Sequence, residues 1–203
     1  MTLYEYLKAT YRKNGEPIFL TDVEKQFGEN TRQYMQYLIK KEKVCRFKPG
    51  VYYLPYTDVL GLEGRFDTME YIKQKYLTDG TDIYGYETGY AVANEFGITT
   101  QNPAVIEICT NAATTKQRRL DIGKRRVILY KPKTQITVKN YKILQFLDFL
   151  LTAEKYSELG QNPLKGQIRR IITKNDIDMQ SLGQYLDCYP SAIYKILYKY
   201  GVL

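Results

Sequence analysis

Apolar positions near the N-terminus recur first at helical and then at strand spacing. Leu3, Leu7 and Tyr11 fall on one stripe with Tyr4 beside it, predicting a helix over Thr2 to Arg12 that Asn14-Gly15 closes with a left-handed cap. Pro17 to Leu20 is short and extended. Thr21 and Glu24 have capping-box spacing and predict a second helix that stops at Gly28. A third helix starts at Glu29 or Asn30, with Met35, Leu38 and Ile39 inside. Two apolar runs around Lys48-Pro49-Gly50 then read as a hairpin. Its inward residues are expected to be Val44, Phe47, Val51 and Tyr53, and Leu54-Pro55 closes it.

Residues 56–66 read as a connector. Asp67 or Thr68 caps a helix through Met69, Ile72 and Tyr76. Tyr84-Gly85-Tyr86 is extended, Thr88 to Phe96 helical with Gly97 as its cap, and Ala104 to Cys109 a strand. Residues 116–121 and 125–130 alternate as a hairpin. Tyr141 to Tyr156 is apolar around most of its circumference and should be buried centrally. Gly160 to Pro163 interrupts the pattern before a helix over Leu164 to Ile172. A helical pair follows, Asp178 to Leu186 and Pro190 to Tyr200, which reads as a closing hairpin against the Tyr141 helix, with a second helix-turn-helix as the alternative. The fold class is therefore α+β: residues 1–55 as a winged helix-turn-helix, then a mixed α+β domain over 56–203 whose residues 159–203 form a helical closing segment.

Charge sharpens this picture. The chain has 203 residues and net charge +8. Residues 1–55 hold ten Lys/Arg against six Asp/Glu, and residues 114–133 hold eight against Asp121 alone. Two basic zones on a mildly acidic body point to a polyanionic partner. In the first zone, the outer face of the third helix carries long hydrogen-bonding side chains of the kind that reach base edges in a major groove. The candidates for base contact are Thr31, Arg32, Gln33 and Gln36, with Tyr37 and Lys40 nearby. Lys41, Arg46 and Lys48 are the candidates for phosphate, with Lys43 beside them. The same helix face would also serve as a plain solvated surface; the order of parts favours DNA. Arg118, Arg119, Lys124, Arg125 and Arg126 make a second basic surface, for DNA or for an acidic partner.

Other chemistry is sparse. Histidine is absent, which excludes Ser-His and Cys-His nucleophilic systems and histidine-ligated metals. Cys45, Cys109 and Cys188 are too far apart for a C-x-x-C site. The carboxylates Glu63, Asp67, Glu70, Asp82, Asp176 and Asp178 fall at helix ends and turns, so no metal, cofactor or catalytic activity is expected. No run approaches the roughly 20 apolar residues of a membrane span. The opening residues are amphipathic and mixed in charge, so a cytoplasmic protein without membrane contact is expected.

The combined pattern resembles the AbiEi-type antitoxins of bacterial abortive-infection, type IV toxin–antitoxin systems. Three stretches carry the likeness, which spans roughly residues 1–155: the winged module ending in GVYYLP at Gly50 to Pro55, the small-residue helix approached through YGYETGYAVANEFG at Tyr84 to Gly97, and the strand VIEICTN at Val105 to Asn111 before a basic hairpin. The resemblance implies a DNA-binding autorepressor that reads inverted repeats in its own promoter; because one module of this size reads few bases, two copies on paired half-sites, a dimer on DNA, are expected. It also implies an antitoxin that counteracts a nucleotidyltransferase-like toxin without a stable complex. The alternative from the residues alone is a winged-helix regulator whose C-terminal domain binds an effector or partner, with no toxin.

Overall fold

The computed structural model describes all 203 residues and divides them into two compact units, Met1–Ile72 and Lys73–Leu203.

In the first unit, α1 (Leu3–Thr10) opens on a reciprocal capping box. The Thr2 hydroxyl accepts from the Glu5 amide, and Glu5 accepts from the Thr2 amide. The capping box expected at Thr21 does not form. Strand β1 (Ile18–Phe19) runs straight into α2 (Leu20–Phe27), so Phe19 occupies the cap position and Thr21 is already helical. Glu24 is thereby free to hold Arg32 instead. Helix α3 (Thr31–Lys40) follows the tight turn at Gly28, whose φ is +77°.

Strands β2 (Cys45–Lys48) and β3 (Val51–Tyr53) complete a three-stranded antiparallel sheet in the order β1-β3-β2. Ile18 pairs with Tyr52 and Phe19 with Val51, so each strand presents neighbouring residues to opposite faces. One face joins the helical core of Leu3, Leu7, Ile18, Leu20, Val23, Met35, Leu38, Val44 and Tyr52. The inward tyrosine is therefore Tyr52, not Tyr53. Val51 and Tyr53 alternate with it and face the other side of the sheet, together with Phe19.

The opposite face is covered by the residues expected to be a connector. Phe66 stacks on Phe47 with ring centroids 3.9 Å apart and meets Tyr53 edge-on at 5.6 Å. Tyr71, in α4 (Thr68–Tyr76), lies 5.7 Å from the Phe19 ring. Asp67 caps α4 through the Glu70 amide, and its own amide donates to the Gly15 carbonyl. Gly15 permits this approach: at φ +72°, a Cβ there would lie 2.4 Å from the Arg65 carbonyl oxygen. The first unit consequently extends past the expected boundary at residue 55.

The second unit is built on a mixed four-stranded sheet ordered β4-β5-β7-β6. Strand β4 (Gly85–Glu87) is antiparallel to β5 (Val105–Thr110), and β5 is parallel to β7 (Arg125–Tyr130). The partner of β7 on its other side is the antiparallel edge strand β6 (Gln117–Ile122). Between β4 and β5 lies α5 (Tyr90–Glu95). Gly123 sits at φ +59° in the first of the two β6–β7 turn positions, the place a type II′ hairpin reserves for glycine.

Helix α6 (Tyr141–Tyr156) is buried as its pattern predicts, through Ile143, Leu144, Phe146, Leu147, Phe149, Leu150 and Ala153. It shares one core with α7 (Gln161–Lys174), α8 (Met179–Gly183) and α9 (Ala192–Tyr200). The break expected over Gly160–Pro163 is instead the start of α7. Gly160 caps it and Pro163 falls in the first turn, where its missing N–H costs no helical bond. No helix of the chain is long and apolar enough to cross a membrane.

Candidate nucleic-acid interface

Helix α3 separates cleanly into two faces. Thr31, Met35 and Leu38 are buried, whereas Arg32, Gln33, Gln36, Tyr37 and Lys40 are exposed. The exposed residues form two adjacent four-residue rows, so their side chains project together. Tyr34 is also exposed and extends this face; the sequence reading missed it because its neighbours Met35 and Leu38 set the apolar stripe.

Thr31 does not belong to the exposed face. It is fully buried, and its hydroxyl donates to the Gly28 carbonyl at 2.7 Å, tying α3 to the preceding turn. The expectation of a base contact at Thr31 is corrected on that ground. Arg32 is the ordered member of the face. Its Nε donates to Glu24 Oε1 at 2.7 Å, and this hydrogen bond, with the accompanying charge attraction, raises the guanidinium pKa further. Arg32 still has 72% of its side chain exposed, so the fork is aimed by Glu24 rather than covered.

The phosphate candidates are placed unequally. Lys41 is exposed, with Nζ 5.9 Å from the Tyr37 ring centre. Arg46 is exposed on β2. Lys48 is half-buried, because its ammonium sits 4.2 Å over the Tyr71 ring. The β2–β3 turn is itself held down, since the Leu20 amide donates to the Gly50 carbonyl. Arg46 is therefore the freer cation of this hairpin. Lys43, just before it, lies 4.9 Å from the Tyr4 ring centre.

The second basic surface lies on the β6–β7 hairpin, and all five of its residues are exposed. The strand register divides them. Arg119 pairs with Ile128 and Asp121 with Arg126, which puts Arg119 and Arg126 on the same face as Tyr130. Arg118 and Arg125 point to the other face, and Lys124 occupies the turn. None of the five makes an ion pair. A charged edge strand also discourages edge-to-edge pairing, so part of this charge has a structural use.

On the face of the sheet shared with Tyr130, a groove of about 740 Å³ runs between β5, β7 and α6. Glu107, Cys109, Tyr130, Lys133, Asp148 and Tyr156 are among its walls. Asp148 accepts from the Tyr86 hydroxyl at 2.7 Å and from the Lys133 ammonium. Burial, and then the nearby Asp148 carboxylate, push the Tyr86 phenol well above its ordinary range. The same two causes push the Cys109 thiol up to about 12. The groove floor thus holds neutral donors around a charged pair. No group of three or more cysteine or carboxylate side chains is placed to hold a metal ion.

No curated protein matches the chain. Residues 4–178 match a family of unknown function, DUF6088, and since that match covers most of the sequence the chain belongs to this family.

Proposed function

We propose that this chain is a DNA-binding autorepressor and the antitoxin of a type IV, abortive-infection system, acting in the cytoplasm against phage. In this reading the first unit is a winged helix-turn-helix. Helix α3 enters the major groove, and Arg32, Gln33 and Gln36 read base edges while Lys41 and Arg46 hold phosphates. The observation that carries it is the exposed polar face of α3, with Arg32 aimed by Glu24. The element order supports it: three helices, with a short strand before the second and a basic hairpin after the third. One module of this size reads few bases, so selectivity comes from two copies on paired half-sites of an inverted repeat. The antitoxin part rests on the resemblance of residues 1–155 to AbiEi-type proteins; the nucleotidyltransferase-like toxin is its functional counterpart, and no residue is assigned a catalytic role.

Two experiments test the two halves. Full-length chain is titrated against a fragment of its own promoter and against scrambled DNA. Replacing Arg32 and Gln33 by alanine is expected to abolish operator preference and leave salt-sensitive binding. An unchanged preference rejects α3 as the reading helix. For antitoxicity, the adjacent gene is expressed with and without this chain from foreign promoters. Rescue of growth supports the assignment, and toxicity without rescue rejects it. The groove in the second unit favours one other reading, a winged-helix regulator whose second unit binds an effector without any toxin.

A further inference from the structure

We propose that the groove between β5, β7 and α6 is a binding site for a ribonucleotide, with the ribose hydroxyls at Glu107 and the phosphates on the lysines around it. This site goes beyond the antitoxin reading and does not depend on it.

The argument starts from hydrogen-bonding capacity. Glu107 Oε2 accepts from the Tyr130 hydroxyl at 2.6 Å, which fixes the carboxylate, whereas Oε1 accepts from no protein donor. That oxygen sits against Gly89; a Cβ there would lie 2.3 Å from it, so glycine makes the room. An ionised carboxylate accepts only, so its free oxygen calls for a ligand donor such as a hydroxyl. An acidic side chain receiving ribose hydroxyls is a recurrent solution in nucleotide sites.

Around this floor stand Lys116, Lys131 and Lys155, all exposed and free of ion pairs. Lys133 differs, being held by Asp148 and lying 4.4 Å over the Tyr189 ring. Lys116 and Lys131 are uncommitted, and Lys155 lies 5.1 Å from the Tyr156 ring centre, so its charge stands beside that ring; three ammonium groups around a groove suit phosphate oxygens. Tyr156 supplies an aromatic wall, braced by Tyr90 at 4.3 Å between ring centres. The volume falls in the range of small-molecule sites.

Charge order selects the ligand. A phosphodiester strand running through the groove would pass Glu107, whose carboxylate has no cationic partner, and be repelled by it. A ligand with hydroxyl donors at one end and phosphate at the other meets acid with donor and lysine with anion. A free nucleotide has this form, and so does the 3′-terminal nucleotide of an RNA.

The test is calorimetric titration of the full-length chain with ADP, inorganic pyrophosphate, 2′,3′-dideoxy-ADP and a short oligoribonucleotide. ADP is expected to saturate one site. Lys131→Ala and Lys155→Ala are expected to weaken it at least about tenfold. Glu107→Gln, which keeps an acceptor for Tyr130, is expected to erase the preference for ADP over the dideoxy form. Oligoribonucleotide binding lost on periodate oxidation of its terminal diol supports the site with RNA as the source. Pyrophosphate binding as tightly as ADP overturns the proposal, as does strand binding that survives oxidation, or no saturation by ADP or oligoribonucleotide up to about 1 mM. Circular dichroism of each variant separates loss of binding from loss of fold.

Discussion

Thr31 and Arg32 are neighbours on α3 with opposite roles. The Thr31 hydroxyl is buried and bonded to Gly28, so its contribution is to stability. Thr31→Val keeps the shape and removes the bond; it is expected to lower unfolding free energy by about 1 kcal/mol and leave DNA selectivity intact. Denaturant melts and operator titrations of the same variant check both halves. A second residue-scale consequence concerns pH. Cys109, Tyr86 and Tyr189 are pushed up chiefly by burial, with Asp148 adding to the shift. The folded chain therefore keeps protons that the unfolded chain releases at about 8.5 for cysteine and about 10 for tyrosine. Their contribution is fully present below those values and is lost as pH rises through them toward the folded values. The second unit is expected to lose thermal stability progressively above about pH 9, with Cys109 unreactive toward thiol reagents at neutral pH while exposed Cys188 reacts. A melting temperature that stays flat to about pH 11 contradicts the first expectation, and rapid labelling of Cys109 in the folded state contradicts the second.

At the scale of elements, α3 and the β2–β3 hairpin have different work in the proposed DNA-binding reading. Gln33 and Gln36 present amides of the kind that pair with base edges; in that reading, alanine at either is expected to cost about 1–3 kcal/mol at one operator position and little at others. Arg46, a phosphate contact in this reading, is expected to weaken operator and scrambled DNA alike when replaced by alanine. The slope of log K against log salt should then fall by about one. A change in sequence preference at Arg46 would place that side chain on a base instead. The elements carrying these residues were legible because periodicity at 3.6 and at 2 is written in single side chains: Met35 and Leu38 inside α3, Ile143 to Leu150 around α6. What was not legible depends on contacts distant in sequence. Thr31 looked like an accessible hydroxyl because nothing local says that Gly28 will turn back to receive it. Lys48 looked like a wing cation because its partner, Tyr71, is in the next helix. The groove was invisible for the same reason: Glu107, Tyr130 and Asp148 meet only once β5, β7 and α6 are assembled.

At the scale of the whole molecule, the question is where the first unit ends. Strand β3 has two consecutive buried residues, Val51 and Tyr52, which a sheet with one wet face would not allow. The helical core takes Tyr52. Its neighbours on the other side, Phe19, Phe47 and Tyr53, meet Phe66 and Tyr71 from beyond residue 55. Each ring of this size removes enough apolar surface from water to contribute about 2–3 kcal/mol. A domain this small has few such contributions to spare. A fragment of residues 1–55 is therefore expected to melt non-cooperatively, or to associate through its uncovered sheet. A fragment of residues 1–76, carrying Phe66 and all of α4, should unfold in one transition. Phe66→Ala in the longer fragment should move it toward the shorter one, and Gly15→Ala should do the same by strain of about 1–3 kcal/mol at a positive φ. Equal cooperativity of the two fragments would mean that the segment after residue 55 merely rests on the sheet. The helices and β3 would then hold the exposed polar face of α3 in place without it.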